Sequence, residues 1–143
     1  MSLGLVPFLG LCCPCADIVS QINYPSKGKA RDGGTVFATS GRKDYMAALF
    51  TRYLEAPADG IYTFYLLSDD ASELHIGNKK VIDNNGEHKY QMRERAGQIA
   101  LKAGKHSFWV GYTEINLLNG LRLDWEGPGF ERELVPSKAL WHN

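Results

Sequence analysis

Cysteine is scarce in this chain: three residues in 143, all in one short stretch, Cys12, Cys13 and Cys15. A disulfide framework wants an even, dispersed count, and a zinc site wants paired Cys or His groups from two places. Neither pattern is present, so the cluster reads as free or half-buried thiols. Neither sign of charge dominates, since sixteen Lys and Arg balance sixteen Asp and Glu. Such a chain exerts no general pull on nucleic acid or an anionic membrane, and neither is an expected partner. Long apolar runs are missing too. The longest, Leu3 to Cys13, is broken by Gly4, Pro7 and Gly10. It is too short to cross a bilayer, so membrane insertion is not expected, and it lacks the basic start of a secretion signal. A buried first strand and the remnant of a cut signal both fit it. Catalytic signatures are absent: there is no G-x-S-x-G, H-E-x-x-H, P-loop or G-x-G-x-x-G. The histidines, His75, His88, His106 and His142, are dispersed and expected at exposed strand or loop positions. Glu73 and Glu94 are possible paired acids, but nothing in the sequence brings them together.

What is present points to one domain, residues 1–143, of ordinary size. A chain of this length buries enough surface for a core without metal or disulfide staples. Asn23 to Lys43 is rich in turn formers and reads as a long loop, with one short strand around Thr35 to Ala38. Tyr45 to Ala56 is ambiguous, because Met46, Leu49, Phe50 and Tyr53 recur at helical spacing. From there the pattern is clearer. Ile61 to Leu67 is aromatic and apolar, as strands are. Leu74 and Ile76 alternate with polar neighbours, and Gly77-Asn78 turns the chain into Lys80 to Asp83. Ile99 and Leu101 alternate next, and Ala103-Gly104 makes a turn. Phe108, Val110 and Tyr112 share one strand face. Leu121, Leu123 and Trp125 share another, with Arg122, Asp124 and Glu126 expected on the wet side. Gly127-Pro128-Gly129 is expected to end the last strand, and Pro136 to Trp141 to pin the C-terminal segment. A period of two repeated over short strands argues for an all-β, antiparallel sandwich or barrel.

The chemistry concentrates at Ser68-Asp69-Asp70, directly after the most apolar strand. Adjacent carboxylates at a strand end repel, and a hard cation such as calcium, wanting six to eight oxygens, would neutralise them. A plain turn, with an aspartate side chain capping the backbone, also fits. Asp83-Asn84-Asn85-Gly86 is not an EF-hand, since Val81 falls where its first acid belongs.

The runs YTFYLLSDDASELHIGNKKVIDNNGEH, GQIALKAGKHSFWVGYTE and LRLDWEGPG together resemble the protective-antigen-fourteen module family. That family is named from the anthrax protective antigen and occurs in yeast flocculins and adhesins and in bacterial glycosidases and sulfatases. The resemblance covers about Asp44 to Trp141, is strongest to the modules of bacterial glycan-degrading enzymes, and is poor over the first forty residues. It implies a β-sandwich with jelly-roll character, and a strand rather than a helix over Tyr45 to Ala56. It also implies a calcium site. In the adhesins an Asp-Asp pair joined by a cis peptide holds calcium, which holds sugar hydroxyls; Asp69 and Asp70 occupy that pair. The second ligand loop falls on Glu114, with backbone carbonyls near Asn116 and Leu118 and sugar contact extending to Asn119. The adhesins usually carry asparagine where this chain has Glu114. The resemblance thus implies a non-catalytic, calcium-dependent carbohydrate-binding or adhesion module of a larger extracellular or cell-surface protein. A docking domain of a secreted enzyme, with no sugar binding of its own, is the alternative. A glycosidase is the least favoured reading, because Asp69 and Asp70 are sequence neighbours and cannot flank a sugar as two catalytic carboxylates must.

Overall fold

The computed structural model describes residues 3–8, 17–19, 21–24, 46–86, 88, 92–114 and 120–141, with backbone alone for 3–8, 17–19, 46 and 114. The three cysteines, His142 and the strand expected at Thr35 to Ala38 lie outside the described residues. The strands follow in order as β1 (Leu3–Phe8), β2 (Asp17–Val19), β3 (Asn23–Tyr24), β4 (Met46–Ala56), β5 (Gly60–Asp69), β6 (Ala71–Ile76), β7 (Lys79–Asn84), β8 (Arg93–Leu101), β9 (Gly104–Glu114), β10 (Gly120–Gly127), β11 (Phe130–Leu134) and β12 (Leu140–Trp141). One sheet has the order β2-β1-β4-β9-β6-β7, with β12 also beside β4; the other has β11-β10-β5-β8, with β3 beside β10. Strand pairing is antiparallel throughout. The chain changes sheet at most connections, which gives the sandwich its jelly-roll character. The only helix among the described residues is a single 3-10 turn, Ser137–Ala139.

The core forms where the period-two residues of both sheets meet. Phe50, Leu74, Val110 and Tyr112 from the first sheet face Tyr62, Phe64, Leu66, Leu123 and Trp125 from the second, and all are buried. The apolar N-terminal stretch forms β1, paired along β4 from Gly4 opposite Thr51 to Phe8 opposite Ala47. β12 occupies the same edge of β4 one step further on, with Trp141 opposite Tyr53. The two strands therefore lie end to end.

The helical spacing in Tyr45 to Ala56 does not prevail. β4 runs in register with β9 from Met46 opposite Glu114 to Ala56 opposite Gly104, and this ladder overrides a local preference worth a fraction of a kcal/mol per residue. Three other expectations are corrected. Asn23–Tyr24 pairs with β10 rather than belonging wholly to a loop. Gly127-Pro128-Gly129 ends one strand but not the last: Gly129, at φ 82°, turns the chain back into β11. Asp124 is not on a wet face. It is buried between Arg122 (2.7 Å) and Arg132 (3.1 Å). Arg132 continues to Glu94 at 2.8 Å and covers the Tyr65 ring at 3.9 Å, so one guanidinium ties together β11, β10, β5 and β8, four of the five strands of that sheet.

β8 lies tight against β7 of the other sheet at Gly97, where an added Cβ would lie 2.2 Å from the Val81 carbonyl oxygen and 2.9 Å from Ile82 Cγ1. A carbonyl fixed in a strand cannot move aside, so Gly97→Ala is expected to destabilise the fold by about 1–3 kcal/mol, as overpacking does. Urea denaturation would check this, and a loss below about 0.5 kcal/mol, the range of neutral surface changes, would show that β7 and β8 separate freely.

Candidate functional site at the Asp69–Asp70 crossing

β5 belongs to one sheet and β6 to the other, and Asp70 alone separates them. The peptide between Asp69 and Asp70 is cis, as the resemblance implied. Both residues are buried, at 1% and 4% exposure.

Polar groups enclose the crossing. The Tyr112 hydroxyl donates to the Asp69 carbonyl at 2.6 Å and accepts the Gly120 N–H at 3.2 Å. The Ser68 hydroxyl lies 2.6 Å from the Asp70 carbonyl and also contacts the Ser72 hydroxyl. The His88 backbone N–H donates to Asp70 Oδ1 at 3.1 Å. Its ring bridges the ends of two strands, with Nδ1 at 2.6 Å from the Ser68 carbonyl and Nε2 at 3.1 Å from the Asn84 carbonyl. Asn84 is wholly buried, and its amide donates to the carbonyls of Leu66 and Arg93 and to the Ser68 hydroxyl. Its own carbonyl accepts from Arg93 Nε at 2.9 Å.

Among the described residues, Asp69 Oδ2 is buried with no hydrogen-bond partner. Burial foremost, and then the neighbouring Asp70 charge, push the Asp69 carboxyl from its ordinary value up to about 7. Two desolvated carboxylates with one orphaned oxygen form a hard, anionic, all-oxygen donor set. That is the chemistry calcium takes, so these residues fit the ion. Among the described residues no three His, Cys, Asp or Glu side chains converge on one point. Further ligands would have to come from elsewhere.

The placement of the remaining expected ligands is partial. β9 ends at Glu114, and only its backbone is described. Asn116, Leu118 and Asn119 lie outside the described residues. The residues on either side of that segment are placed, however. Thr113 is the register partner of Ala71, and Gly120 of Asp69. The second loop is thus anchored on both flanks of Asp70. Trp109, a candidate for stacking on a sugar, sits four residues from Thr113, flat against His75 at 3.8 Å. Tyr112 is core, as its spacing suggested, but its hydroxyl belongs to the site. Glu73 and Glu94 are not brought together: Glu73 pairs with Lys80 on one sheet and Glu94 with Arg132 on the other. His88 is buried at 3%, a correction to its expected exposure, because both its ring nitrogens are used inside the crossing. Ser72, Asn84 and His88 were not identified as site residues from sequence. Ser72 and Asn84 had a signal: they fall at the inward parity of β6 and β7, in phase with Leu74 and with Ile82, where a polar side chain needs internal partners.

A two-sheet antiparallel sandwich with a buried cis Asp-Asp pair at a sheet crossing defines a protective-antigen-type module. The chain belongs to the PA14 domain family, whose model matches residues 14–139. It is 30% identical over 115 residues to the anti-sigma-I factor RsgI3 of Acetivibrio thermocellus, a match spanning 80% of this chain but 16% of that protein. An anti-sigma factor domain-containing protein from Clostridium clariflavum superposes with a TM-score of 0.77 at 29% identity, over 97% of this chain and 47% of that one. The chain therefore spans less than half of either relative. The PA14 sugar-binding domain of an RTX adhesin shares the fold at a TM-score of 0.78 and 16% identity, covering 99% of this chain and 98% of its own. Anti-sigma factors were not among the relatives expected from the sequence. Among the described residues no helix is long and apolar enough to cross a membrane.

Proposed function

We propose that the chain is a non-catalytic carbohydrate-binding module whose Asp69–Asp70 pair holds calcium. Glu114 and the backbone carbonyls of Asn116 and Leu118 complete the ion's shell, and Asn119 borders the sugar. Calcium, when bound, supplies positive charge and open coordination positions that vicinal sugar hydroxyls fill. The observation that carries this reading is the buried Asp69 Oδ2, without a hydrogen-bond partner among the described residues, beside a second buried carboxylate. The sugar-binding domain of the RTX adhesin, alike over nearly its whole length, supports it. The module sits on an extracellular or cell-surface part of a longer protein. The anti-sigma relatives favour a parent in which occupancy of the module is read by a regulatory segment of the same chain.

The test is a glycan array run in calcium and in chelator, with wild type and Asp69→Asn. Binding that needs calcium and disappears in the variant is the expected result. A calcium-responsive protein with no glycan hit would replace this reading with a docking domain. Glycan binding unchanged by chelator would remove the ion from the mechanism.

A further inference from the structure

At the opposite end of β10 from the Asp pair the two sheets part, leaving a pocket of about 390 Å³. It is lined by Trp125 and Phe130 from one sheet, Glu55 and Pro57 at the end of β4, Glu133 of β11, and the turn carrying Lys138. The volume lies within the ~300–1,000 Å³ range of small-molecule sites. Its two carboxylates are held in place by indoles. Trp125 Nε1 donates to Glu133 Oε1 at 3.2 Å, and Trp141 Nε1 donates to Glu55 Oε2 at 2.6 Å. Among the described residues no cation lies within 4.0 Å of either carboxylate, whereas Glu73, Asp83, Glu94 and Asp124 each have one. An indole N–H fixes the orientation of a carboxylate without neutralising its charge. The pocket therefore offers two oriented carboxylates with no cation in direct contact, beside the aromatic pair Trp125 and Phe130, whose centroids are 5.1 Å apart; Lys105, the register partner of Glu55, lies over the Trp141 ring at 3.9 Å instead.

We propose that this pocket binds an organic cation, specifically the guanidinium of an arginine side chain on a peptide segment. A guanidinium is planar, stacks on aromatic rings and bonds carboxylates through a fixed fork, so it uses both features of the pocket; a compact ammonium uses them less well. Lys138 on the rim stays more than 4.0 Å from both carboxylates and does not fill the role. The site is independent of the Asp pair, which lies about six residues away along β10, roughly 20 Å at strand rise. A charged residue on an edge strand, as Glu133 is on β11, can also serve to discourage sheet-edge association, and the test separates the two roles.

The indole N–H groups of Trp125 and Trp141 touch the two carboxylates, whereas Trp109 lies against His75, so the three indole resonances make an internal control. The 143-residue chain, labelled with ¹⁵N, is titrated with a short amidated peptide containing one arginine, and with the same peptide containing citrulline. The expected result is saturable movement of the Trp125 and Trp141 indole peaks by the arginine peptide, with a Kd on the order of 1 mM. The Trp109 peak and the citrulline peptide should show no change. Glu133→Gln and Glu55→Gln should each weaken binding about tenfold. Equal responses to both peptides, or no movement, would overturn the proposal. So would a Glu133→Gln protein that binds as wild type does but self-associates, which would assign Glu133 to edge protection.

Discussion

Calcium is expected to raise the melting temperature of the chain by roughly 5–10 °C, and Asp70→Ala to abolish that rise. The arithmetic starts from extracellular calcium modules, which commonly bind at about 10⁻⁴–10⁻³ M. At a hundredfold excess over its Kd, a ligand that binds only the folded state stabilises it by about 2.7 kcal/mol, and the temperature follows from the size of the domain. The pH dependence gives a second, signed readout. The Asp69 carboxyl is pushed from 3.8 to about 7 in the fold, chiefly by burial. A group raised on folding holds its extra proton in the native state. Its contribution to stability is complete below its unfolded value and is lost as pH rises through its folded value. In chelator, therefore, stability is expected to decline between about pH 4 and about pH 7 through this group. In saturating calcium the ion replaces the proton, and the decline should vanish or reverse. Equal wild-type melting temperatures with and without calcium across that range would eliminate the metal site.

The second large effect is expected at a residue that touches no ligand. Asn84→Ala should destabilise the chain by roughly 3–5 kcal/mol, or about 10–15 °C. The amide is wholly buried and serves the Leu66 and Arg93 carbonyls, the Ser68 hydroxyl and Arg93 Nε. Truncation leaves several buried polar groups unmatched, each costing about 1–3 kcal/mol. The exposed neighbour Asn85 is the control. Asn85→Ala loses a side-chain bond to Glu73 at the surface and should stay within about 0.5 kcal/mol of wild type. Urea denaturation of both variants decides the matter; similar losses would mean that the network adds little beyond ordinary burial.

These residues show what the sequence could convey. Phe108, Val110 and Tyr112, or Leu121, Leu123 and Trp125, declare a strand face because burial on a sheet is a period-two property of adjacent residues. The Asp pair was legible for a similar reason, being a local departure at the end of an apolar run. β4 was not legible from its own spacing, since its state is decided by a partner strand some sixty residues away. β11 was hidden by its composition: Phe130 and Leu134 enclose three charged residues, and what makes them a strand is pairing with β10 and the reach of Arg132 to Glu94. His88 gave no local signal at all. Its burial comes from acceptors on two different strands, a property of the assembled crossing.

The end-to-end arrangement of β12 and β1 along β4 has a mechanical consequence. Trp141 and Gly4 face neighbouring stretches of one strand, at Tyr53 and Thr51. β1 starts and β12 ends at this one corner of the sandwich. Tension along the parent chain would pass across that corner and spare the inter-sheet contacts and the distant Asp69–Asp70 crossing. The module would hang from its parent as a side pendant, able to keep its binding end intact while the chain that carries it is stretched.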